Sequence, residues 1–368
     1  MSVSRRGFLT AASVGLGAAV ASSVRAPLAG ALPFDTGSLG VVQDLMQAVP
    51  TGSGMIQPSG PLGYVGVTFP SPEEMLGRIR FGFPDGSVGD WIPLEALDSA
   101  PDSGSLPASE LVSAPDGAVS YEVDAPAGSE ATAFDDGRGT PRNYSLGSTG
   151  LLNLPVIPRA AWGAGDVSGN RWSPTFFAAQ GITIHHTAVQ PGPDRAASVR
   201  AIYNYHANTL GWGDVGYHLI IDPEGRIYQG RGGTVGGGPV FQVPPVAGVA
   251  PPIVTGGHVG GYNNGNIGIS LLGDFSYHPP TAAAIGATID CVRTLSGAIG
   301  VHPQSNINYH NPQGGASRGM PAVSGHRQWG GTACPGNAFY GMMQFIRDHA
   351  ANGWTPSAVS SAAVPFGS

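Results

Sequence analysis

Residues 181–188, "GITIHHTA", decide the fold of the larger part of the chain. The run of β-branched residues predicts a strand, in which neighbouring side chains point to opposite faces. His185 then shares one face with threonines, and His186 shares the other face with isoleucines. The polar face of a strand is typical of a functional site, and the apolar face is typical of the core. We therefore expect His185 to be a functional residue and His186 to pack beside it.

Strand and helix patterns alternate on both sides of this stretch. Residues 216–231 are typical of a hairpin around "DPEG", and residues 266–275 form a continuous apolar run, as expected for a strand covered on both faces. Amphipathic helix patterns cover residues 194–212 and 282–300. These elements predict an α/β fold, a mixed central β-sheet flanked by helices, over residues 153–354.

The N-terminal third has a different pattern. Residues 61–127 contain short strand-like runs separated by "PDGS" and "PDG" turn signals, which predict a small antiparallel β-sandwich-like accessory domain. This domain has no histidine and no cysteine, and we expect no catalytic constellation in it. Polar, glycine-rich stretches predict an arm over residues 32–60, a linker over 128–152 and a flexible tail over 355–368.

The first 31 residues indicate export. Arg5 and Arg6 precede a short run of alanine, glycine and valine, a pattern typical of a twin-arginine signal peptide over residues 1–31. The apolar run is too short and too rich in glycine for a membrane span. We therefore expect an exported protein, in the periplasm or cell wall or secreted, with no stable membrane span after signal removal.

Composition excludes one class of partner. The chain has 368 residues, of which 41% are hydrophobic and 11% charged, as in a globular protein with a packed core. Its net charge is -7 and it contains no lysine, so a broad basic face for nucleic acid is not expected. Nothing in the sequence fixes the oligomeric state.

The histidines and cysteines point to a metal site. All ten histidines follow residue 180, and "GHRQWGGTACPG" places His326 and Cys334 eight residues apart across a Gly-Gly loop. Imidazole and thiolate are good zinc ligands, and His185 at a strand end could supply a third. One open position on a tetrahedral ion is typical of a catalytic zinc site. Taken singly, these residues fit a buried cysteine and core or capping histidines equally well.

Five motifs resemble one family, the type 2 N-acetylmuramoyl-L-alanine amidases and peptidoglycan recognition proteins. The resemblance runs from about residue 155 to 350 and leaves the N-terminal β domain outside. The motifs, in chain order, are "IPRAAWGA", "ITIHHTA", "GWGDVGYHLIIDPEGRIYQGR", "NNGNIGISLLGDF" and "GHRQWGGTACPG".

The resemblance implies a reaction and a site. It implies hydrolysis of the amide between the lactyl group of N-acetylmuramic acid and L-alanine of the peptide stem, with peptidoglycan as substrate. It also implies one Zn²⁺ ion bound by His185, His326 and Cys334, with Tyr217 and Thr332 in catalytic positions. Two alternatives stay open: a peptidoglycan-binding protein with little or no catalysis, and a structural zinc module.

Three further residues are weaker candidates for substrate contact. His258 and Asn263 precede a strand that borders the cleft in the family, and Trp212 is the last residue of the first amphipathic helix pattern. Loop structure, turn formation and core packing explain these residues equally well.

Overall fold

The computed structural model describes most of the chain beyond residue 47. The described ranges are 48–52, 54–137, 149–164, 172–233, 239–246, 249–315 and 317–356. The expected export signal, most of the expected arm and most of the expected tail lie outside them. Residues Gln43–Ser368 form one compact unit.

The N-terminal part of this unit is a sandwich of two small antiparallel sheets. One sheet has the strand order β1-β7-β2-β5 and the other β4-β3-β6. Their inner faces bury one apolar cluster that includes Val65, Phe81 and Tyr121, which confirms the β-sandwich-like prediction. The strands are β1 Val49–Pro50, β2 Tyr64–Thr68, β3 Arg78–Gly82, β4 Ile92–Pro93, β5 Val112–Ser113, β6 Ser120–Asp124 and β7 Glu130–Phe134.

Strand β7 corrects the expected linker over 128–152. Its last four residues are buried, and it pairs with β1 on one side and β2 on the other. A strand that is paired on both sides is part of the sheet, although its polar, glycine-rich flanks made the stretch resemble a linker. Likewise β1 belongs to this sheet, although it lies in the expected arm over 32–60.

The larger part of the unit is built on a seven-stranded mixed sheet with the order β18-β11-β15-β12-β13-β9-β8. β11 runs parallel to both β15 and β18, whereas β12 and β13 form the expected antiparallel hairpin. The remaining strands form two-stranded sheets beside it. The strands are β8 Thr149–Leu151, β9 Leu154–Ile157, β10 Phe176–Ala178, β11 Gly181–His186, β12 Leu219–Ile221, β13 Ile227–Gln229, β14 Pro252–Val254, β15 Asn266–Leu271, β16 Asn306–His310, β17 Ser317–Pro321 and β18 Val323–Gly325.

Helices cover both faces of the large sheet, which confirms the α/β prediction. Val292 of α3 and Ile346 of α5 pack with Ile184 on one face, and Ile202 of α2 packs with Ile220 on the other. The Asp194 side chain caps α2, as its position before the amphipathic run predicts. The helices are α1 Arg159–Trp162, α2 Arg195–Asn204, α3 Ala282–Ile299, α4 Asn337–Tyr340 and α5 Met343–Ala351.

One described helix, α3, is long and apolar enough to cross a membrane by length and composition alone. Half of it is buried inside the fold, where it contributes Cys291 and Leu295 to the core. A core helix of a globular domain has the same composition, so this feature is weak evidence for a span.

The sandwich and the large sheet share a core rather than meeting at a polar surface. Phe134 of β7 packs edge-on against Tyr205, with ring centroids 5.9 Å apart. A Cβ atom on Gly66 of β2 would come within 2.4 Å of that tyrosine ring, so the close approach requires glycine. The Tyr64 hydroxyl donates to the carbonyl of Gln190 at 3.0 Å. The two parts are therefore packed as one body.

Candidate metal centre

Strand register places two histidines side by side. β11 and β18 are parallel, with Ile184 opposite Gly325. The next residue on each chain segment is His185 and His326, and their ring centroids lie 4.5 Å apart. Ligand sites in α/β folds lie at the carboxyl ends of parallel strands, which is where these two rings project.

Cys334 reaches the same point from the loop after β18. Its backbone N–H donates to the Thr332 hydroxyl oxygen at 2.9 Å, and its sulfur accepts from the backbone N–H of His186 at 3.4 Å. The sulfur lies 3.7 Å from Nδ1 of His185. One potential ligand atom from each of His185, His326 and Cys334 lies within 4.8 Å of the others, and all three residues are buried.

The donor set fits a zinc ion. Nδ1 of His326 is buried and has no hydrogen-bond partner among the residues that the structure describes. Burial lowers the pKa of both His185 and His326, so each neutral ring keeps a lone pair for a cation. Burial raises the pKa of the Cys334 thiol, and a bound cation would offset this by favouring thiolate. Two imidazoles and a thiolate are zinc donors that leave one tetrahedral position for another ligand.

A hydrogen-bond chain fixes which nitrogen of His185 faces this cluster. The carbonyl of Asn266 can only accept, so His258 donates to it from Nε2, at 3.0 Å. Nδ1 of His258 then accepts from Nε2 of His185, also at 3.0 Å. This leaves Nδ1 of His185 unprotonated and directed toward Cys334. Such an outer partner holds a metal-binding imidazole in one tautomer and orientation.

His258, a candidate for substrate contact in the sequence, lies behind His185 in this structure. Its side chain is fully buried, and both ring nitrogens are used inside the protein. Asn263 is also buried, and its Oδ1 accepts from the backbone N–H groups of His258 at 2.8 Å and Val259 at 2.9 Å. In this conformation Asn263 shapes the loop that carries His258. The Asn263 side-chain amide donates to Ala100 and Asp102 of the N-terminal domain, so its contact with a substrate stays a prediction.

Trp212 remains beside a cavity. With Trp172 it lines a pocket of about 420 Å³, and its indole N–H donates to the Ser105 hydroxyl at 2.8 Å. The side chain is otherwise buried. The pocket wall opposite these tryptophans comes from residues 101–106 of the N-terminal domain.

His186 lies on the other face of β11. Its ring packs on Phe275, with centroids 6.2 Å apart, and its Nδ1 accepts from the backbone N–H of that residue at 3.2 Å. The opposite face is polar but also buried: the Thr183 hydroxyl donates to Oδ1 of Asn266 at 2.9 Å. The alternation of the strand thus separates the two adjacent histidines.

Tyr217 and Thr332 lie at the mouth of the cluster. Both line a pocket of about 210 Å³ together with Cys334. The ring centroid of Tyr217 is 5.3 Å from that of His185. Burial raises the pKa of Tyr217, which keeps its hydroxyl protonated.

Comparison with known proteins identifies the family. A family profile described as N-acetylmuramoyl-L-alanine amidase matches residues 175–337. Peptidoglycan-recognition protein SC2 of Drosophila melanogaster is 30% identical over 193 residues, which is 50% of this chain and 83% of that protein. The chain belongs to the family of N-acetylmuramoyl-L-alanine amidases and peptidoglycan-recognition proteins. This confirms the resemblance seen in the sequence motifs.

Other proteins match a similar share of the chain. Human N-acetylmuramoyl-L-alanine amidase is 28% identical over 203 residues, which is 53% of this chain but only 29% of that protein. The chain thus spans less than a third of the length of this relative. The solved structure of Drosophila peptidoglycan recognition protein SD is 22% identical, with a TM-score of 0.39, and the match covers 52% of this chain and 94% of that one.

Three carboxylates outside the family match also reach the site. Glu95, Asp98 and Glu110 line the pocket of about 210 Å³, and all three belong to a segment of the N-terminal domain, residues 95–110, that we term the covering loop. Oδ2 of Asp98 accepts a hydrogen bond from the Thr332 hydroxyl, and Oδ1 lies 3.6 Å from Nδ1 of His326.

Residues 61–127, in which no catalytic constellation was expected, therefore supply carboxylates to the lining of the site. Burial, and next the negative charge of Asp98, raise the pKa of Glu110 well above its ordinary value. No local signal marks these acids, because "ALDSAPDSG" around Asp98 has the composition of any surface loop. Asp98 and Thr332 are 234 residues apart in sequence, and only the fold brings them together.

Proposed function

We propose that the chain is an exported, zinc-dependent N-acetylmuramoyl-L-alanine amidase, which hydrolyses the amide between the lactyl group of N-acetylmuramic acid and L-alanine of the peptide stem. The observation that carries this proposal is the buried cluster of His185, His326 and Cys334, with its ligand atoms within 4.8 Å. The names of the human and Drosophila relatives support the substrate class. The paired arginines at Arg5 and Arg6 support export.

The chemistry assigns a task to each group. A zinc ion held by the cluster supplies Lewis acidity, toward both the scissile carbonyl and a water molecule. Water adds to the carbonyl carbon and the C–N bond breaks, which yields a lactyl carboxyl group and the free amino group of L-alanine. The Tyr217 hydroxyl donates to the oxygen on which negative charge develops, because a tyrosine with an ordinary pKa of about 10 is a donor at neutral pH.

Thr332 holds the loop that carries the thiolate. Its hydroxyl oxygen accepts a hydrogen bond from the backbone N–H of Cys334, and the same hydroxyl donates a hydrogen bond to the carboxylate of Asp98. When Asp98 is absent from the pocket, the hydroxyl can donate to a substrate oxygen instead. Thr332 therefore acts first on the position of Cys334 and second on the substrate.

A second candidate function is peptidoglycan binding with little or no hydrolysis. One observation favours it: the pocket beside Cys334 measures about 210 Å³ under the covering loop. Sites that enclose a drug-sized ligand run from roughly 300 to 1,000 Å³, and a sugar with a peptide stem is larger than such a ligand. A chain that stays covered cannot bring the scissile amide to the metal centre, so any binding of the wall would use surface outside this pocket.

Metal analysis combined with mass analysis of fragments released from purified peptidoglycan separates the two functions. We expect one zinc ion per chain and free peptide stems that begin with alanine. Cys334→Ala should lose both, while Cys291→Ala, which removes the other buried cysteine from α3, should keep both. Zinc-loaded protein that binds sacculi but releases no stems would favour the recognition function and contradict the amidase.

A further inference from the structure

The covering loop is a built element of the N-terminal sandwich. It connects β4 and β5, which belong to different sheets. At its base the backbone N–H of Leu97 donates to the carbonyl of Ala108, and that of Glu110 donates to the carbonyl of Glu95, both at 2.8 Å. This short ladder directs the rest of the loop away from the sandwich and onto the metal centre.

Amide groups of the family domain bind the middle of the loop. Nδ2 of Asn263 donates to the carbonyl of Ala100 at 2.9 Å. The carboxylate of Asp102 accepts from the backbone N–H of Gly261 at 2.8 Å and from the side-chain amides of Asn263 and Asn264 at 2.5 and 3.4 Å. A main-chain carbonyl and a carboxylate are the groups that an acidic peptide would present to the same donors. The loop therefore occupies the cleft as a peptide ligand would.

Asp98 brings a carboxylate next to His326, one of the three residues of the metal cluster. Its Oδ1 lies 3.6 Å from Nδ1 of His326, a nitrogen without a hydrogen-bond partner among the described residues. Two ligands bound to one tetrahedral zinc ion at about 2.0–2.1 Å are about 3.3 Å apart. The separation of these two atoms is thus close to one edge of such a tetrahedron, and carboxylate oxygen is an ordinary zinc ligand.

We propose that Asp98 is an intramolecular fourth ligand of the metal centre, and that the covering loop, residues 95–110, must withdraw before substrate enters. This inference rests on the proposed zinc amidase function. A protein in this closed state keeps its metal coordinated entirely by its own side chains. The loop then sets the fraction of molecules that can bind substrate, and the apparent activity falls to that fraction of its intrinsic value.

Cobalt in place of zinc tests the ligand directly, without reference to activity. The full chain, its Asp98→Asn variant and an Asp90→Asn control, which changes an exposed acid of the same domain, are loaded with Co²⁺. Azide should shift the visible bands of Asp98→Asn, whose fourth position is exchangeable, and leave those of the other two unchanged. Equal azide shifts in all three proteins would overturn the inference.

The same samples separate this inference from the function on which it rests. A chain without a thiolate-to-cobalt absorption band would overturn the proposed zinc function together with the fourth ligand. A normal thiolate band with an azide-sensitive full chain would overturn only the role of Asp98. An insensitive full chain and a sensitive Asp98→Asn variant would support both.

A rate measurement then tests the loop as a cover. Asp98→Asn and Asp102→Asn should each release stems about tenfold faster than the unmodified chain, the change expected when one charge-assisted hydrogen bond is lost. Asp90→Asn should release them at the unmodified rate. If both loop variants release stems at or below that rate, the covering loop does not restrict access to the metal centre.

Discussion

The two sides of the pocket are held in place by different means. On one side, His185 and His326 follow directly from paired parallel strands, and the sheet fixes their separation. On the other side, Asp98 sits on a loop between two sheets of a separate sandwich. Its side chain is 30% exposed, whereas that of His326 is 4% exposed. The sheet fixes the two histidines, whereas we propose that the Asp98 contact can be displaced. Substitution of a histidine should therefore lower the rate of hydrolysis, and substitution of Asp98 should raise it.

The largest expected effect lies on the strand side. His185→Ala should lose zinc and reduce stem release to background, because it removes a ligand. His186→Ala should keep zinc, because that ring packs on Phe275 on the opposite face of β11. Zinc content and stem release are measured for both variants. Equal loss of zinc would show that the alternation of the strand does not separate the two histidines.

Tyr217→Phe should have the next largest effect. Loss of one hydroxyl donor to a developing oxyanion lowers kcat by roughly 10²- to 10³-fold, and zinc content should not change. Tyr277→Phe, at a tyrosine that is 87% exposed, serves as the matched control and should retain full activity. A Tyr217→Phe enzyme with an unchanged kcat would remove this hydroxyl from the reaction.

His258→Gln tests the hydrogen-bond chain behind the site. Removal of the partner that orients a metal-binding histidine weakens metal affinity by roughly 10- to 100-fold. Competition with a chromophoric chelator measures the zinc dissociation constant, with the exposed His278→Gln as control. Unchanged affinity in His258→Gln would mean that His185 keeps its orientation without this partner.

Tyr205→Phe should have the smallest effect, and it tests the packing of the sandwich rather than the site. The Tyr205 hydroxyl donates to the buried carbonyl of Ser109 at 2.5 Å. Its loss should lower the free energy of unfolding by about 1–2 kcal/mol, because the carbonyl is left unpaired. Unfolding in urea should stay a single transition. Two separate transitions would show that the sandwich and the large sheet unfold independently.

Local patterns in the sequence predicted the strand side of the pocket. Alternation along 181–188 separated His185 from His186, and apolar runs marked the strands of the sheet. Family motifs then placed Tyr217 and Thr332, which the structure brings to the same pocket. Such features can be predicted because the period of a strand and the composition of a short loop are each encoded within about ten consecutive residues.

Contacts between distant segments could not be predicted in this way. His258 in "GGHVGGYNNGN" was a candidate for substrate contact or an ordinary loop histidine, yet it lies behind His185 and is hydrogen-bonded to it. Strand β7 was taken for a linker because its flanks are polar, and its pairing partners are far away in sequence. Asp98 carries no local signal at all, and its place in the site depends on how the sandwich packs.

X-ray absorption at the zinc edge of the full chain tests the central claim most directly, because it counts the ligands of the metal in solution. We expect one sulfur at about 2.3 Å and three nitrogen or oxygen neighbours at about 2.0–2.1 Å, two of them imidazoles. Cys334→Ala should lose the sulfur contribution together with most of the zinc. Zinc bound without sulfur, or a full chain that binds no zinc, would contradict the account.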